Sequence, residues 1–163
     1  MEVTARIQFT RPCLGNVRKP DFDRLLRDPD GEVIFLATWW RSALSKAAQA
    51  INKYHTLVDR LRPALPVRGP VSHIKRWYGN GEGAFKVHEG FDAGATVTVQ
   101  FLLPSGMTLD QFTELLETAG LYVGISPYGW KTGTYGQFKV LEVVKSDRKR
   151  RSRNSTGTDP QSR

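Results

Sequence analysis

Val3, Ala5, Ile7 and Phe9 alternate with Glu2, Thr4, Arg6 and Gln8, and a period of two marks a strand with one buried face. Ala95 to Leu103 repeats the pattern: Val97, Val99, Phe101 and Leu103 point one way, Thr96, Thr98 and Gln100 the other. Between these strands the period lengthens. Trp40, Leu44, Ala47, Ala48 and Ile51 share one helical face, with Arg41, Ser45, Lys46 and Gln49 elsewhere, which predicts an amphipathic helix. Thr38 is its expected N-cap. Its end is expected near Tyr54 or His55, with Leu57 to Leu61 as an extension that Pro63 stops. A second helix has the strongest local signal. Thr108 and Gln111 form a capping box, and Met107 and Phe112 stand at staple positions. Leu109, Phe112, Leu115, Leu116 and Ala119 make its apolar face, with Gly120 as the expected stop. Gln137 to Val144 predicts a last strand, with Phe138, Val140 and Glu142 on one face.

The intervening stretches are less regular. Arg11 to Gly31 holds Pro12, Pro20, Pro29 and the apolar cluster Phe22, Leu25 and Leu26. It predicts a long loop with one helical turn, closed by the turn Asp28-Pro29-Asp30-Gly31. Glu32 to Leu36 is a short apolar run. Within Pro63 to Gly94, Val71 to Tyr78 and Phe85 to His88 predict two strands around the flexible run Gly79 to Gly83. The element order is strand, helix, one or two strands, strand, helix, strand. That order predicts an α+β fold of the ferredoxin-like (RNA-recognition-motif-like) kind, an antiparallel sheet with two helices on one face and the other open. Residues 1–144 are expected to form one such domain with an irregular insertion around 55–94. Residues 145–163 are expected to be a basic disordered tail.

Composition narrows the class. With 163 residues, four tryptophans and ordinary apolar content, the chain can bury a real core. No run approaches the roughly 18 apolar residues of a membrane span, and the N-terminus reads as a first strand, not a signal peptide. The single Cys13 excludes an internal disulfide and a multi-cysteine metal site, which fits a reducing, cytoplasmic setting. The net charge is +8, yet Lys145 to Arg163 holds seven of the 24 basic and two of the 16 acidic residues. The body is only mildly basic, so charge alone says little about what the fold binds.

Gly120 to Phe138 is the most distinctive segment. It places Gly120, Gly124, Gly129, Gly133 and Gly136 among Tyr128, Trp130, Lys131 and Tyr135. Glycines let a backbone approach a phosphate and offer N–H groups to it. Tyr128, Trp130 and Tyr135 suit stacking on unpaired bases, and Lys131 suits a phosphate. The competing reading is a tight connection whose aromatics close the core edge. The passage from Ala119-Gly120 through Val123-Gly124-Ile125 to Tyr135-Gly136-Gln137-Phe138 resembles the closing segment of the RAMP superfamily of CRISPR-associated proteins. Asp30 to Ala48 resembles that superfamily's strand, small-residue cap and first helix. The chain bears a still closer resemblance to small uncharacterised bacteriophage proteins that share both features. The resemblance implies a ferredoxin-like fold, single-stranded RNA binding and side-by-side assembly into oligomers or filaments. The family's loop is richer in arginine, whereas this one holds only Lys131, and the chain is short for two full domains.

Catalysis finds no support in the pattern. His55, His73 and His88 have no metal-ligand spacing, and none sits in the N-terminal context of the family's endoribonucleases. Asp21, Asp23, Asp28 and Asp30 lie amid Arg18, Lys19, Arg24 and Arg27, which predicts solvated ion pairs. No cofactor or metal is expected. His73-Ile74-Lys75-Arg76-Trp77-Tyr78 interleaves bases and aromatics before a glycine run, the form of a nucleic-acid-gripping hairpin or of an ordinary edge strand. The cluster Arg148 to Arg153 suits phosphates, a nuclear address or simple solubility. The expected partner is single-stranded nucleic acid, RNA before DNA, with no membrane. Expected contacts are Gly124, Tyr128, Gly129, Trp130, Lys131, Gly133, Tyr135, Gly136, Arg6, Arg11, Arg41, Lys75 and Arg76. The alternatives are a self-assembling phage structural protein without nucleic acid, and a metal-independent endoribonuclease.

Overall fold

The computed structural model describes residues 1–77, 83–125, 128 and 135–146. Strand β1 (Glu2–Phe9) is central in a four-stranded sheet. It pairs antiparallel with β6 (Thr96–Leu102) on one side and β7 (Phe138–Lys145) on the other. The two-residue β3 (Arg62–Pro63) completes the order β3-β6-β1-β7. In β1, Val3, Ala5, Ile7 and Phe9 are buried, as the alternation predicts. Helices α1 (Ala37–Ile51) and α3 (Leu109–Thr118) cover that apolar face. Phe101 of β6 meets both, with ring centroids 5.0 Å from Trp40 and 4.9 Å from Phe112. A short α2 (His55–Val58) follows α1. The mixed α/β architecture with antiparallel sheets is compatible with a ferredoxin-like fold.

A second sheet was not foreseen. Strand β5 (Phe85–Phe91) lies between β2 (Cys13–Leu14) and β4 (Ser72–Trp77). Phe91 stacks on Phe9 at 5.9 Å and packs edge-on against Phe35 at 5.8 Å, which joins this sheet to the main core. Gly90 permits the join: a Cβ there would stand 2.2 Å from the Cys13 carbonyl oxygen.

Several local expectations are corrected by tertiary contacts. Helix α1 starts at Ala37 with Leu36 as N-cap and no side-chain cap, so Thr38 does not cap it. The preceding residues pair with 65–67 (Phe35 N–H to Leu65 O, 3.1 Å; Val67 N–H to Val33 O, 2.8 Å), and that pairing ends where the helix begins. The helix stops earlier than expected, at Asn52 with φ 53°. Tyr54, also left-handed, hydrogen-bonds Glu114 of α3 at 2.7 Å. The capping box of Thr108 and Gln111 is present. Gly120, however, does not stop α3. The chain continues as a π turn (Ala119–Val123) before turning at Gly124, φ 82°. Gly120 instead lies against β7, where a Cβ would meet the Phe138 carbonyl oxygen at 2.3 Å. Between Arg6 and Ile7 of β1 the pairing with β7 shifts by one, Leu141 being the extra residue, so Val143 pairs with Ala5 and Glu142 faces outward to Arg6. The expected sharing of a face by Val140 and Glu142 fails because of this bulge.

Residues 11–31 hold no helical turn. Cys13–Leu14 and Asp23 pair with β5, the Asp23 N–H bonding Val87 O at 3.1 Å and the Glu89 N–H bonding Asp23 O at 2.8 Å, while 28–31 form the expected turn, with the Gly31 N–H on Asp28 O at 3.0 Å. Asp21 and Arg24 form the exposed ion pair that was expected, but Asp23 is 1% exposed. Arg27 donates two hydrogen bonds to Glu89, at 2.8 and 3.1 Å, and the Leu25 N–H adds a third at 3.1 Å. The Arg27 guanidinium therefore holds the Glu89 carboxyl below its ordinary 4.5. A carboxylate lowered in this way contributes stability above pH 4.5 that is lost as pH falls through its folded value. Arg27→Met is expected to cost about 2 kcal/mol at neutral pH by leaving Glu89 unpaired. Urea denaturation should show that deficit shrinking as the pH falls below 4.5, once Glu89 protonates in both proteins.

Candidate nucleic-acid interface

The hairpin of β4 and β5 has two chemically distinct faces. Pairing Trp77 with Phe85, Lys75 with Val87 and Arg76 with Lys86 places the first two pairs on one side and the third on the other. On the outer side Trp77 and Phe85 are 59% and 41% exposed, with ring centroids 5.0 Å apart. The Lys75 ammonium lies 4.5 Å from the Phe85 ring centre and 5.8 Å from that of Trp77. Large aromatics exposed together lose hydrophobic free energy unless something covers them. A cation held over them supplies attraction for a phosphate beside a stacked base.

The inner side is a buried polar network. His88 is fully buried, its Nδ1 lying 2.7 Å from the Gly15 carbonyl oxygen and its Nε2 accepting from Arg76 Nε at 3.1 Å. An acceptor at Nε2 and a carbonyl at Nδ1 require the neutral ring with its proton on Nδ1. Burial pushes the His88 pKa below 6.5, with Arg76 and Lys86 adding to the effect against the opposing Gly15 carbonyl and Asp23. Asp23 pairs with Lys86 at 2.9 Å and lies 3.8 Å from His88 Nδ1. Tyr128 covers the cluster, 5.2 Å edge-on from His88, with the Arg76 guanidinium 4.7 Å from its ring centre. Tyr135 follows at 6.5 Å from Tyr128.

The expected site residues scatter. Lys75, Arg76 and Tyr128 converge on the hairpin, with Tyr135 beside Tyr128. Arg6 lies on the open sheet face, 3.7 Å from Glu142. Arg41 lies on α1, on the opposite side of that sheet, beside a small cleft that Trp40, Leu61 and Arg62 also line. One strand of nucleic acid lying on the sheet would not meet both. Arg11 is exposed where its N–H reaches Gln137 O at 3.3 Å. Gly124 and Gly136 are buried, and their N–H groups are bonded to the Ala119 and Pro12 carbonyls at 2.8 Å each. Those two glycines serve backbone packing. A Cβ on Gly124 would stand 2.9 Å from Tyr135 O. Gly129, Trp130, Lys131, Gly133 and the basic cluster 148–153 lie outside the described residues. Phe85 and Lys86 were missed by sequence reasoning. The pairing of β4 with β5 would have indicated them, since Phe85 and Lys86 oppose Trp77 and Arg76.

Cys13 is buried, donates to Ile125 O at 3.0 Å, and has its thiol pushed well above the ordinary value by burial, so it is a poor nucleophile. Among the described residues no group of three or more His, Cys, Asp or Glu is placed to hold a metal. Among them, too, no helix is long and apolar enough to cross a membrane.

No family model and no curated protein matches the chain. Its fold is similar to a chain of the cryo-EM structure of type III-B Cmr-beta bound to cognate target RNA, with a TM-score of 0.54 and 11% identity. The match covers 88% of this chain and 59% of that one, so this chain spans about three-fifths of its neighbour's length. At that identity the likeness concerns the fold alone.

Proposed function

We infer that this chain is a RAMP-like, non-catalytic subunit that binds single-stranded nucleic acid, RNA before DNA, with the β4–β5 hairpin as its grip. The observation that carries the reading is the exposed Trp77–Phe85 pair beneath Lys75. Sequence-tolerant binders of single strands combine aromatic platforms with nearby cations in this way. Arg76 and Tyr128 form a second cation–ring pair across the hairpin. The likeness of fold to a chain from an RNA-bound assembly supports the same reading. Titrating tryptophan fluorescence with a single-stranded uridine oligonucleotide is the test. Quenching at low salt should weaken as salt rises, by a factor set by the phosphates engaged. Absence of quenching at low salt would remove the reading.

A second reading is assembly through β7, the last strand in the sheet order, where Leu141 and Val144 are each 42% exposed. Its Lys139 and Lys145 are residues that commonly discourage edge pairing. An oligomer that survives nuclease treatment in sizing experiments would favour it.

A further inference from the structure

His88 takes no part in the grip as described, yet it ties together the elements that set the hairpin's position. Its ring joins β4 through Arg76 Nε at 3.1 Å and the segment after β2 through Gly15 O at 2.7 Å. Tyr128 packs on it from the glycine-rich segment at 5.2 Å. Among the described residues the charged groups facing it are Arg76 from β4, Lys86 from β5 itself and Asp23 from the segment beside β5. Two cations and one anion thus surround a fully buried ring. A second ring proton would take the Nε2 lone pair that accepts from Arg76, and would add a third positive charge to the cluster. Among the described residues Asp23 is the one anion that faces the ring, 3.8 Å from Nδ1, and Lys86 holds its other carboxylate oxygen at 2.9 Å, so it offsets the added charge in part and does not restore the hydrogen bond at Nε2.

We propose that His88 is a positioning residue for the hairpin, working only as the neutral Nδ1–H imidazole, so that acidification unlocks the hairpin and weakens its hold on single-stranded RNA. The RNA half of this rests on the function inferred above; the lock does not. The sign follows from linkage. A histidine held below its ordinary 6.5 binds fewer protons folded than unfolded. It costs no stability above 6.5, and the folded, locked state loses ground progressively as pH falls below that value.

Two measurements on the full chain separate the halves. Hydrogen exchange of the β4 and β5 backbone amides, corrected for intrinsic rate, reads the lock from about pH 8 to about pH 5. Quenching by a single-stranded uridine oligonucleotide reads the grip over the same range. Acidification should lower amide protection in both strands together and weaken RNA binding about tenfold, the worth of one hydrogen bond to a charged group. His88→Gln, which cannot titrate, should leave both readouts flat. Flat readouts in the unaltered protein, or an unchanged pH dependence in His88→Gln, overturn the proposal. Loss of protection without RNA binding at any pH upholds the lock and overturns the RNA reading alone. Should His88→Gln fail to fold, Lys86→Gln replaces it. Removing that cation lets the folded His88 value return toward 6.5 and frees Asp23 to face the protonated ring, so the loss of protection on acidification should shrink, and an undiminished loss overturns the proposal.

Discussion

Replacing Trp77 and Phe85 together by alanine is expected to weaken single-stranded RNA binding by a factor of about 30 to 1,000. Each base stacked on an aromatic is worth about 1–3 kcal/mol. The two rings lie only 5.0 Å apart, so they share a platform, and about 2–4 kcal/mol in all is the reasonable sum. Folding stability should change little, because both side chains are largely exposed. Fluorescence anisotropy of a labelled oligonucleotide measures the loss without relying on Trp77 as reporter. Lys75→Ala should act differently. It removes one phosphate contact, weakening binding across all sequences and flattening the salt dependence by roughly one unit of slope. Unchanged affinity in the double variant would place the binding surface elsewhere on the molecule.

Gly120→Ala is expected to destabilise the fold by about 3 kcal/mol, the upper end for forcing one extra methyl group into packed backbone. Its Cβ would lie 2.3 Å from the Phe138 carbonyl oxygen and 2.6 Å from the Phe138 ring. Either the π turn or β7 must move to admit it. Helix propensity argues the opposite, since alanine is favoured over glycine in a helical turn by about 1 kcal/mol. The sign of the measured change therefore decides which effect wins. Gly94→Ala is the comparison: its φ of 89° opposes a side chain, but no atom lies within 4 Å of the added Cβ. About 1 kcal/mol is expected there. Urea unfolding of the two variants distinguishes steric exclusion from backbone strain.

Where periodicity was strong, expectation and structure agree. β1 and β6 bury the residues their alternation indicates, and α3 carries the capping box visible in Thr108 and Gln111. Hydrophobic alternation and capping are local, written within a few neighbouring residues, and survive any global arrangement compatible with a core. Residues 11–31 show the limit. Their composition suggests a loop, but β5 pairs with Asp23 among them by offering Val87 and Glu89 as backbone partners. Asp23 looked like a surface acid among arginines, yet that pairing carries it into the interior beside Lys86 and His88. Gly120 looked like a helix stop, and only the approach of Phe138 explains it.

The candidate site divides along the same line. Lys75, Arg76 and Trp77 drew notice in sequence because bases and aromatics interleave there, but a single strand cannot reveal which of them point together. Pairing with β5 placed Phe85 beside Trp77 and His88 beneath Arg76. The main sheet, covered by α1 on one face, puts Arg6 and Arg41 on opposite sides.

By itself, then, the chain's order of residues determined which segments become β1, β6, α1 and α3 and which of their faces turn inward, because burial of alternating or helically spaced apolar groups is a near-neighbour property. Tertiary structure alone decided the second sheet, the interior place of Asp23 and His88, and the two-faced hairpin. Those depend on contacts between residues far apart in the chain (Gly15 with His88, Arg27 with Glu89), whose free energy no local pattern encodes.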